Sequence, residues 1–317
     1  MEILFIGASG LLGSHLSNLI IKEKIDKSNL DNINFYSIQR NDNVQNLSIS
    51  SKTLCEMTFK CDCRDIDKLT NILKNISPDI IVNLAQINLS RFILSAIKSA
   101  NIKQPYLITV GSLRIFSKYS KVQDYQFYES LISNNINKRI IIRPSMIYGN
   151  KYDRNMHKLI NFIRSNKFVP IILNGNSKFQ PVFYQDISLA IFKILKKFFD
   201  TGIFNNAEYN LSGPDILSLK EICFLIAKKL TKKIYFINIP IKLIFYLIKL
   251  LELLKFIKLP IKSIQILRLH EDKVFKSDWD NQIIQIVPTN FRDGINSEIN
   301  SFFDNSISRG ETIFKES

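Results

Sequence analysis

The chain has 317 residues, of which 46% are hydrophobic, and its formal net charge is +15. The apolar fraction is large enough for a sizeable core, which excludes a wholly disordered protein. The lysines are spread along the chain as single residues between apolar ones, which favours a basic solvated surface over a nucleic-acid site. We therefore expect no nucleic-acid partner, whereas small anions and acidic lipids are compatible with the charge.

The four cysteines and three histidines are not spaced like metal ligands. Cys61 and Cys63 are separated by one residue, no second cysteine pair accompanies them, and the histidines lie far apart. Neither a metal site nor a disulfide framework is expected. The N-terminal apolar run follows an acidic residue and has no basic segment before it, so we expect no signal peptide and a cytoplasmic protein with reduced thiols.

Strand and helix patterns alternate through the first half of the chain. Short apolar runs predict buried strands at 3–6, 33–38, 80–83, 106–110 and 139–143, with a short further strand before Asp62. Helical spacing of apolar residues predicts helices at 14–24, 65–75, 91–99 and 125–133. Such alternation predicts an α/β fold with a doubly wound parallel sheet of the Rossmann type.

A glycine-rich loop follows the first strand. Gly7 permits a tight turn, Gly10 allows the backbone to approach a pyrophosphate, and Gly13 allows the next helix to pack closely on the strand. The N-terminus of that helix offers free N–H groups to an anion. The loop residues that we expect to contact a dinucleotide are Gly7, Ser9, Gly10, Leu11, Leu12 and Gly13.

The chain divides into two regions and a tail. Residues 1–150, completed by parts of 178–215, are predicted to form the NAD(P)-binding domain. Residues 151–177 and 216–300 are predicted to form a smaller substrate lobe, and 301–317 a tail.

The stretch 239–260 is apolar, but its longest uncharged run is six residues, which excludes a bilayer-spanning helix. A helix packed on the lobe core and a helix lying on the inner face of an anionic membrane both stay open.

Further segments match one set of motifs in order. They are Asp62, Asn83-Leu84-Ala85, Val110-Gly111-Ser112, Arg143-Pro144-Ser145-Met146-Ile147-Tyr148-Gly149, Phe183-Tyr184-Gln185-Asp186-Ile187 and Tyr209-Asn210-Leu211-Ser212-Gly213. Together with the G-x-x-G-x-x-G loop, they resemble the extended or atypical short-chain dehydrogenase/reductase superfamily. Within it, the likeness is to the NAD-dependent epimerase/dehydratase branch, which includes nucleotide-sugar epimerases and dehydratases.

The resemblance implies which residues hold the cofactor. Besides the loop, these are Asp62, Cys63, Leu84, Ala85, Gln86, Val110, Pro144, Ser145 and Ile147. The second strand ends at Gln39-Arg40, and no acidic residue follows until Asp42. Because an arginine at this position suits a 2′-phosphate, Arg40 favours NADP(H) over NAD(H).

The Tyr-x-x-x-Lys pair that the superfamily's reductases and epimerases use is missing. None of the eleven tyrosines is followed by a lysine four residues later. The helix can be aligned with the family motif in two registers. In the first, Tyr125 takes the position of the family tyrosine, and Glu129 takes that of the lysine. In the second, Glu129 takes the position of an acidic residue that follows the family lysine, so that Lys121 stands in the tyrosine position and Tyr125 in the lysine position, and the chain resembles atypical members such as an accessory subunit of respiratory complex I. Ser112 is the remaining catalytic candidate, beside Tyr125 and Lys121.

The resemblance implies a small-molecule substrate, a nucleotide- or lipid-linked sugar. Arg154, His157 and Gln180 are the candidate substrate contacts. Two functions stay open: an NAD(P)-dependent oxidoreductase or epimerase of polysaccharide biosynthesis, and a catalytically inactive NADP(H)-binding structural or sensor protein. A homodimer and a peripheral membrane contact through 239–260 also stay open.

Overall fold

Seven parallel strands form the central sheet in the order β11-β6-β5-β4-β1-β2-β3. The computed structural model describes residues 1–26, 32–40, 49–118, 122–150, 152–153, 155–240 and 271–310. The sheet strands are β1 Glu2–Ile6, β2 Asn34–Gln39, β3 Met57–Lys60, β4 Ile80–Asn83, β5 Tyr106–Val110, β6 Arg139–Pro144 and β11 Ala207–Leu211. The predicted doubly wound parallel sheet is confirmed.

Helices cover both faces of this sheet. They are α1 Leu11–Asp26, α2 Ile49–Leu54, α3 Ile66–Ile76, α4 Ser90–Ala100, α5 Val122–Asn135 and α7 Tyr184–Thr201. In β1, Ile3 and Phe5 face the core under α1 and α7, whereas Leu4 and Ile6 face the core under α3, α4 and α5. Because successive side chains of a strand alternate between faces, burial on both faces requires an uninterrupted apolar run.

Local signals explain where several helices begin and end. The Asp65 carboxylate accepts the Lys68 N–H at the start of α3, and Ser77 ends that helix in a left-handed conformation before Pro78. Ser218 and Glu221 form a reciprocal capping box at the start of helix α8, Leu219–Lys229. Such caps satisfy the backbone N–H groups that the first turn leaves unpaired.

The second half builds a smaller lobe around its own core. Its elements are β7 Ile147–Tyr148, α6 Met156–Ser165, β8 Phe168–Ile172, β9 Lys178–Phe179, β10 Val182–Phe183, β12 Leu217–Ser218, α8, β13 Tyr235–Ile239 and α9 Phe291–Gly310. Tyr148 and Phe291 are fully buried in this core. Helix α9 continues to Gly310, into the segment predicted as a tail, because Phe291, Ile295 and Ile299 bury one face of it against the lobe.

The topology places a crevice at the carboxyl end of the sheet. The chain runs outward from β1 through β2 to β3, then crosses to β4 on the other side of β1. In open α/β sheets, ligands bind at such a reversal of strand order. Within the described ranges, no helix is long and apolar enough to span a bilayer. The stretch 241–270, which holds most of the predicted lysine-rich apolar segment, lies outside the described residues, as do 311–317.

Candidate dinucleotide and substrate site

The glycine loop forms a tight turn between β1 and α1. Gly7 has a φ of +85°, and the Gly10 N–H donates to the Gly7 carbonyl at 3.0 Å. A Cβ on Gly13 would lie 2.4 Å from the Ala8 carbonyl oxygen, so only glycine permits this packing of α1 against the loop. A Cβ on Gly10 would meet only the Gly7 oxygen, at 3.2 Å. Apart from this tight contact within its own turn, the exposed Gly10 has no neighbour there within 4 Å, as a backbone that a pyrophosphate approaches requires.

The rest of the loop is anchored to the helices that flank it. Ser9 is half-buried, Leu11 begins α1, and Leu12 is buried in the core. The Leu12 carbonyl accepts the Ser188 hydroxyl of α7 at 3.0 Å. These contacts fix the N-terminus of α1, whose free N–H groups point toward the crevice end of the sheet.

The loop after β4 closes on the glycine turn. A Cβ on Gly7 would lie 3.2 Å from the Ala85 nitrogen and 3.4 Å from the carbonyl carbon of Leu84. Buried Asn83 holds this loop, because its Oδ1 accepts the Ala85 N–H at 3.1 Å while its Nδ2 donates to Thr109 Oγ1 at 3.1 Å. Gln86 then precedes a short 3₁₀ turn. The structure thus brings the predicted Leu84–Gln86 contacts against the glycine loop.

A charged corner lies at the ends of β2 and β3. The Arg64 side chain donates to the Asp62 carboxylate from Nη2 at 2.6 Å and from Nε at 3.0 and 3.2 Å, and the Arg64 backbone N–H donates to it at 3.0 Å. These bonds lower the pKa of Asp62 to about 2, with a smaller contribution from the charge of Arg40. Arg40 is exposed one residue past β2, and Cys63 is buried beside Asp62. With two guanidinium groups and one carboxylate, the corner is net positive.

Ser112 lies at the carboxyl end of β5. Val110 ends the strand, and the Gly111 N–H donates to the Ile142 carbonyl at 2.7 Å. The Ser112 Oγ accepts the Arg114 N–H at 3.3 Å and caps the 3₁₀ turn Leu113–Phe116. A hydroxyl that accepts a backbone N–H still has its own proton to donate. Ser112 can therefore cap this turn and donate to a substrate oxygen.

Glu129 of α5 forms a buried ion pair with Arg143 of β6. The Arg143 Nη2 lies 2.5 Å from Glu129 Oε2, and its Nε donates to both carboxylate oxygens at 3.1 and 3.0 Å. Arg143 also reaches Glu208 of β11 at 2.6 Å. A Cβ on Gly111 would lie 3.0 Å from Glu129 Oε1, so the glycine provides space for the pair. The Glu129 carboxylate is used to join α5 to the sheet.

The remaining candidates on α5 are described only in part. Tyr125 is half-buried and packs against the core under α3, α4 and α5. Lys121 lies outside the described residues, and so does Arg154.

Hydrogen bonds hold the segment after β6 between two other strands. The Ser145 N–H donates to the Leu211 carbonyl at 3.0 Å, and the Ser145 hydroxyl donates to the Gln180 carbonyl. Ile147 pairs in β7 with Val182 of β10. Pro144 ends β6, so Pro144, Ser145 and Ile147 border the crevice from the lobe side.

The two described substrate candidates bind other parts of the protein. Gln180 is buried, its Nε2 donates to the Gly213 carbonyl at 3.2 Å, and its Oε1 accepts the Phe275 N–H at 2.6 Å. The His157 ring stacks on Phe302 of α9 at 5.1 Å between centroids, and its Nε2 lies 3.0 Å from Asn161 Nδ2. In the described residues, both side chains hold elements of the lobe together.

Three charged residues with side-chain contacts near the candidate site residues were not indicated by the sequence motifs. The Glu271 carboxylate accepts the Ser117 hydroxyl at 2.5 Å and the Lys118 N–H at 2.6 Å, which fixes the segment after Ser112. Fully buried Glu298 of α9 accepts the Gly149 N–H at 2.8 Å. Burial and the neighbouring Asp153 raise the pKa of Glu298 to about 10. Arg64, two residues after Asp62, is the third.

No cluster of metal-ligating side chains occurs in the part of the chain that the structure describes. Its four cysteines are free and buried. What the geometry does provide is a glycine turn, a free helix N-terminus and a β4 loop packed together at a switch point. These features define a protein of the Rossmann type, whose glycine turn has the form that dinucleotide-binding sites use.

Comparison with known families gives a more specific class. The model of the NAD dependent epimerase/dehydratase family matches residues 3–96. This match covers β1, the glycine loop and the strands through β4. Residues 3–96 are thus similar to that family, and the epimerase/dehydratase likeness predicted from the ordered motifs is confirmed.

Two curated relatives and one solved structure extend the comparison. CDP-abequose synthase of Yersinia pseudotuberculosis is 27% identical over 257 residues, which cover 71% of this chain and 83% of the relative. NADH dehydrogenase [ubiquinone] 1 alpha subcomplex subunit 9 of Arabidopsis thaliana is 33% identical over 94 residues, 30% of this chain and only 22% of that protein. UDP-glucuronic acid 4-epimerase from Bacillus cereus, solved with UDP-glucuronic acid and NAD, has a TM-score of 0.70 at 18% identity, covering 96% and 99% of the two chains.

Proposed function

We propose that the chain binds NADP(H) in the crevice between β1 and β4 and acts on a nucleotide- or lipid-linked sugar as an oxidoreductase or epimerase. The observation that carries this proposal is the glycine loop, where the backbone at Gly10 is solvent-exposed beside the N-terminus of α1. When bound, the nicotinamide accepts or returns a hydride at a sugar carbon. The names of two sugar-nucleotide relatives support this substrate class.

The preference for NADP(H) rests on the corner formed by Arg40, Asp62 and Arg64. Because Arg64 already neutralises Asp62, the exposed Arg40 guanidinium is available for a 2′-phosphate. We expect NADPH to bind at least tenfold more tightly than NADH in a fluorescence titration. In Arg40→Ala this ratio should fall toward one, while a matched Lys98→Gln control on α4 should keep it. Equal or tighter binding of NADH by the unaltered protein would contradict the preference.

Proton transfer is assigned to α5, in the register that the Glu129–Arg143 ion pair favours. Because Glu129 is bound to Arg143, its carboxylate is used to join α5 to the sheet rather than to assist the phenol of Tyr125. The register that exchanges Lys121 and Tyr125 therefore accounts better for the geometry. In it, Ser112 donates a hydrogen bond to the sugar oxygen, and Lys121 or Tyr125 takes the hydroxyl proton as hydride leaves the carbon.

Turnover can be tested on UDP-, CDP- and polyprenyl-linked sugars with each cofactor. Comparison of Tyr125→Phe with Lys121→Met identifies the proton-transferring group, because loss of that group should lower kcat by about 10²–10⁴. Loss in one variant but not in the other assigns the role. Turnover that persists unchanged in both would contradict the assignment to α5.

A catalytically inactive NADP(H)-binding structural or sensor protein is the second candidate. The missing Tyr-x-x-x-Lys favours it, and so does the 33% identity with the NADH dehydrogenase subunit over 94 residues. Tight cofactor binding without turnover on any sugar of the panel would support this candidate.

Cytoplasmic location, a homodimer and a membrane contact through 239–260 stay predictions.

A further inference from the structure

Strands β8 and β13 form a two-stranded parallel sheet of their own on the lobe. Val169 and Ile171 of β8 point into the lobe core, where they are buried with residues of α6 and α8. The opposite side of this sheet carries Phe168 and Pro170 of β8 and, in register with them, Tyr235 and Ile237 of β13. We call these four residues the β8–β13 face.

The β8–β13 face is apolar and exposed. Phe168 is 60% exposed, Tyr235 48% and Ile237 49%. The rings of Phe168 and Tyr235 are in contact, with centroids 5.9 Å apart. Single exposed apolar residues are ordinary, but a contiguous exposed row on two paired strands indicates an interaction surface.

Basic residues border the β8–β13 face. Exposed Lys167 directly precedes Phe168, and its carbonyl accepts the Tyr235 N–H at 2.8 Å. The Lys233 ammonium lies 5.6 Å from the centroid of the Tyr235 ring. Lys167 and Lys233 therefore give the margin of the face a positive charge.

We propose that the β8–β13 face docks the lobe on an anionic lipid bilayer. Aromatic side chains with adjacent lysines suit the interface, where the rings lie at headgroup level and the ammonium groups meet lipid phosphates. A second copy of the chain is a poorer occupant, because a symmetric contact through this face would bring the same positive margins together. The surface consists of described residues only.

Vesicle co-sedimentation of the full chain tests the proposal. We expect binding to phosphatidylcholine vesicles that contain about one third phosphatidylglycerol, and little binding to pure phosphatidylcholine. Salt near 1 M should release the protein, since the Debye length is then about 3 Å. Each basic residue at the surface should contribute about fivefold to partitioning, so Lys167→Gln/Lys233→Gln should lower it about 25-fold.

A second variant tests the apolar part of the face. Phe168→Ser/Tyr235→Ser/Ile237→Ser should lower partitioning by at least tenfold. The matched controls change exposed residues elsewhere, Ile25→Ser/Val287→Ser for apolar contacts and Lys98→Gln for charge, and should bind like the unaltered protein. Retained NADPH binding and an unchanged near-UV circular dichroism spectrum verify that each variant is folded. The lysine variant tests the charge separately, because it leaves the apolar residues of the face unchanged.

Three results would overturn the proposal. Equal binding by face variants and controls would mean that the overall positive charge causes it. Binding that persists in both face variants but disappears in Lys249→Gln/Lys255→Gln would assign the contact to the 241–270 stretch. If light scattering shows a dimer that dissociates only in the face variants, the face is a protein–protein interface.

Discussion

The two sides of the crevice use their polar groups differently. On the cofactor side, the turn presents the exposed backbone of Gly10, where a Cβ would meet no atom outside the turn within 4 Å. On the substrate side, the polar side chains in motif positions are already bound: Glu129 to Arg143, and Gln180 to two backbone segments. The difference separates two properties of the superfamily. Dinucleotide binding depends on backbone shape, which the glycine turn retains. Turnover depends on side chains that are free to contact the substrate, and among the described motif residues Glu129 and Gln180 are bound elsewhere.

The largest expected effect is on the substrate side, at the buried ion pair. Glu129→Ala leaves the Arg143 guanidinium without its bidentate partner in a buried position, which should lower the free energy of unfolding by about 3–5 kcal/mol. Glu208→Ala removes the half-exposed partner of the same arginine and should cost less than about 1 kcal/mol. Urea unfolding of the two variants measures the contrast. Equal losses would show that the pair does not join α5 to the sheet.

On the cofactor side, two glycine variants separate shape from stability. Gly13→Ala places a methyl group 2.4 Å from the Ala8 carbonyl oxygen, which should cost about 1–3 kcal/mol and abolish NADPH binding. Gly10→Ala places its methyl group 3.2 Å from the Gly7 carbonyl oxygen and near no other atom, so it should cost less stability than Gly13→Ala while NADPH binding weakens at least tenfold. Unweakened binding in Gly10→Ala would place the pyrophosphate elsewhere.

The pH dependence of stability provides a third test, on the lobe side. The pKa of Glu298 is raised to about 10, so its folded carboxyl is neutral while the unfolded chain ionises above its ordinary value. The stability that this group contributes is therefore complete in acid and lost as the pH rises from about 4 toward 10.

Glu298→Gln should remove this loss. The introduced amide can still accept the Gly149 N–H, and it can donate toward Asp153. We expect Glu298→Gln to be more stable than the unaltered protein at pH 8 and equally stable at pH 4, measured as thermal stability across that range. A variant less stable than the unaltered protein at pH 8 would mean that the carboxyl is ionised in the fold.

The smallest expected effect concerns Ser112. Ser112→Ala removes the cap of a short 3₁₀ turn, which should cost about 0.5–1 kcal/mol and leave NADPH binding unchanged. If the chain is an enzyme, turnover should nevertheless fall by at least tenfold, because the hydrogen bond to the sugar oxygen is lost. Unaltered turnover would leave Ser112 with the capping role alone.

The sequence predicted the features that depend on local patterns. The strands of the sheet, the glycine loop and the approach of Asn83–Ala85 follow from apolar runs and adjacent motif residues. The sequence left the two registers of α5 open, because both place Glu129 on the same helix and its contact with Arg143 is tertiary. Glu271 and Glu298 were missed because their contacts span 154 and 149 residues, a distance that no local pattern covers.

The central claim is that one nicotinamide dinucleotide binds at the glycine turn between β1 and β4. Native mass spectrometry with NADPH tests it most directly, on the unaltered chain beside Gly10→Ala. We expect one bound dinucleotide per chain in the first and none at the same concentration in the second, with both proteins folded. No bound dinucleotide in the unaltered chain, or equal occupancy in the two, would contradict the claim.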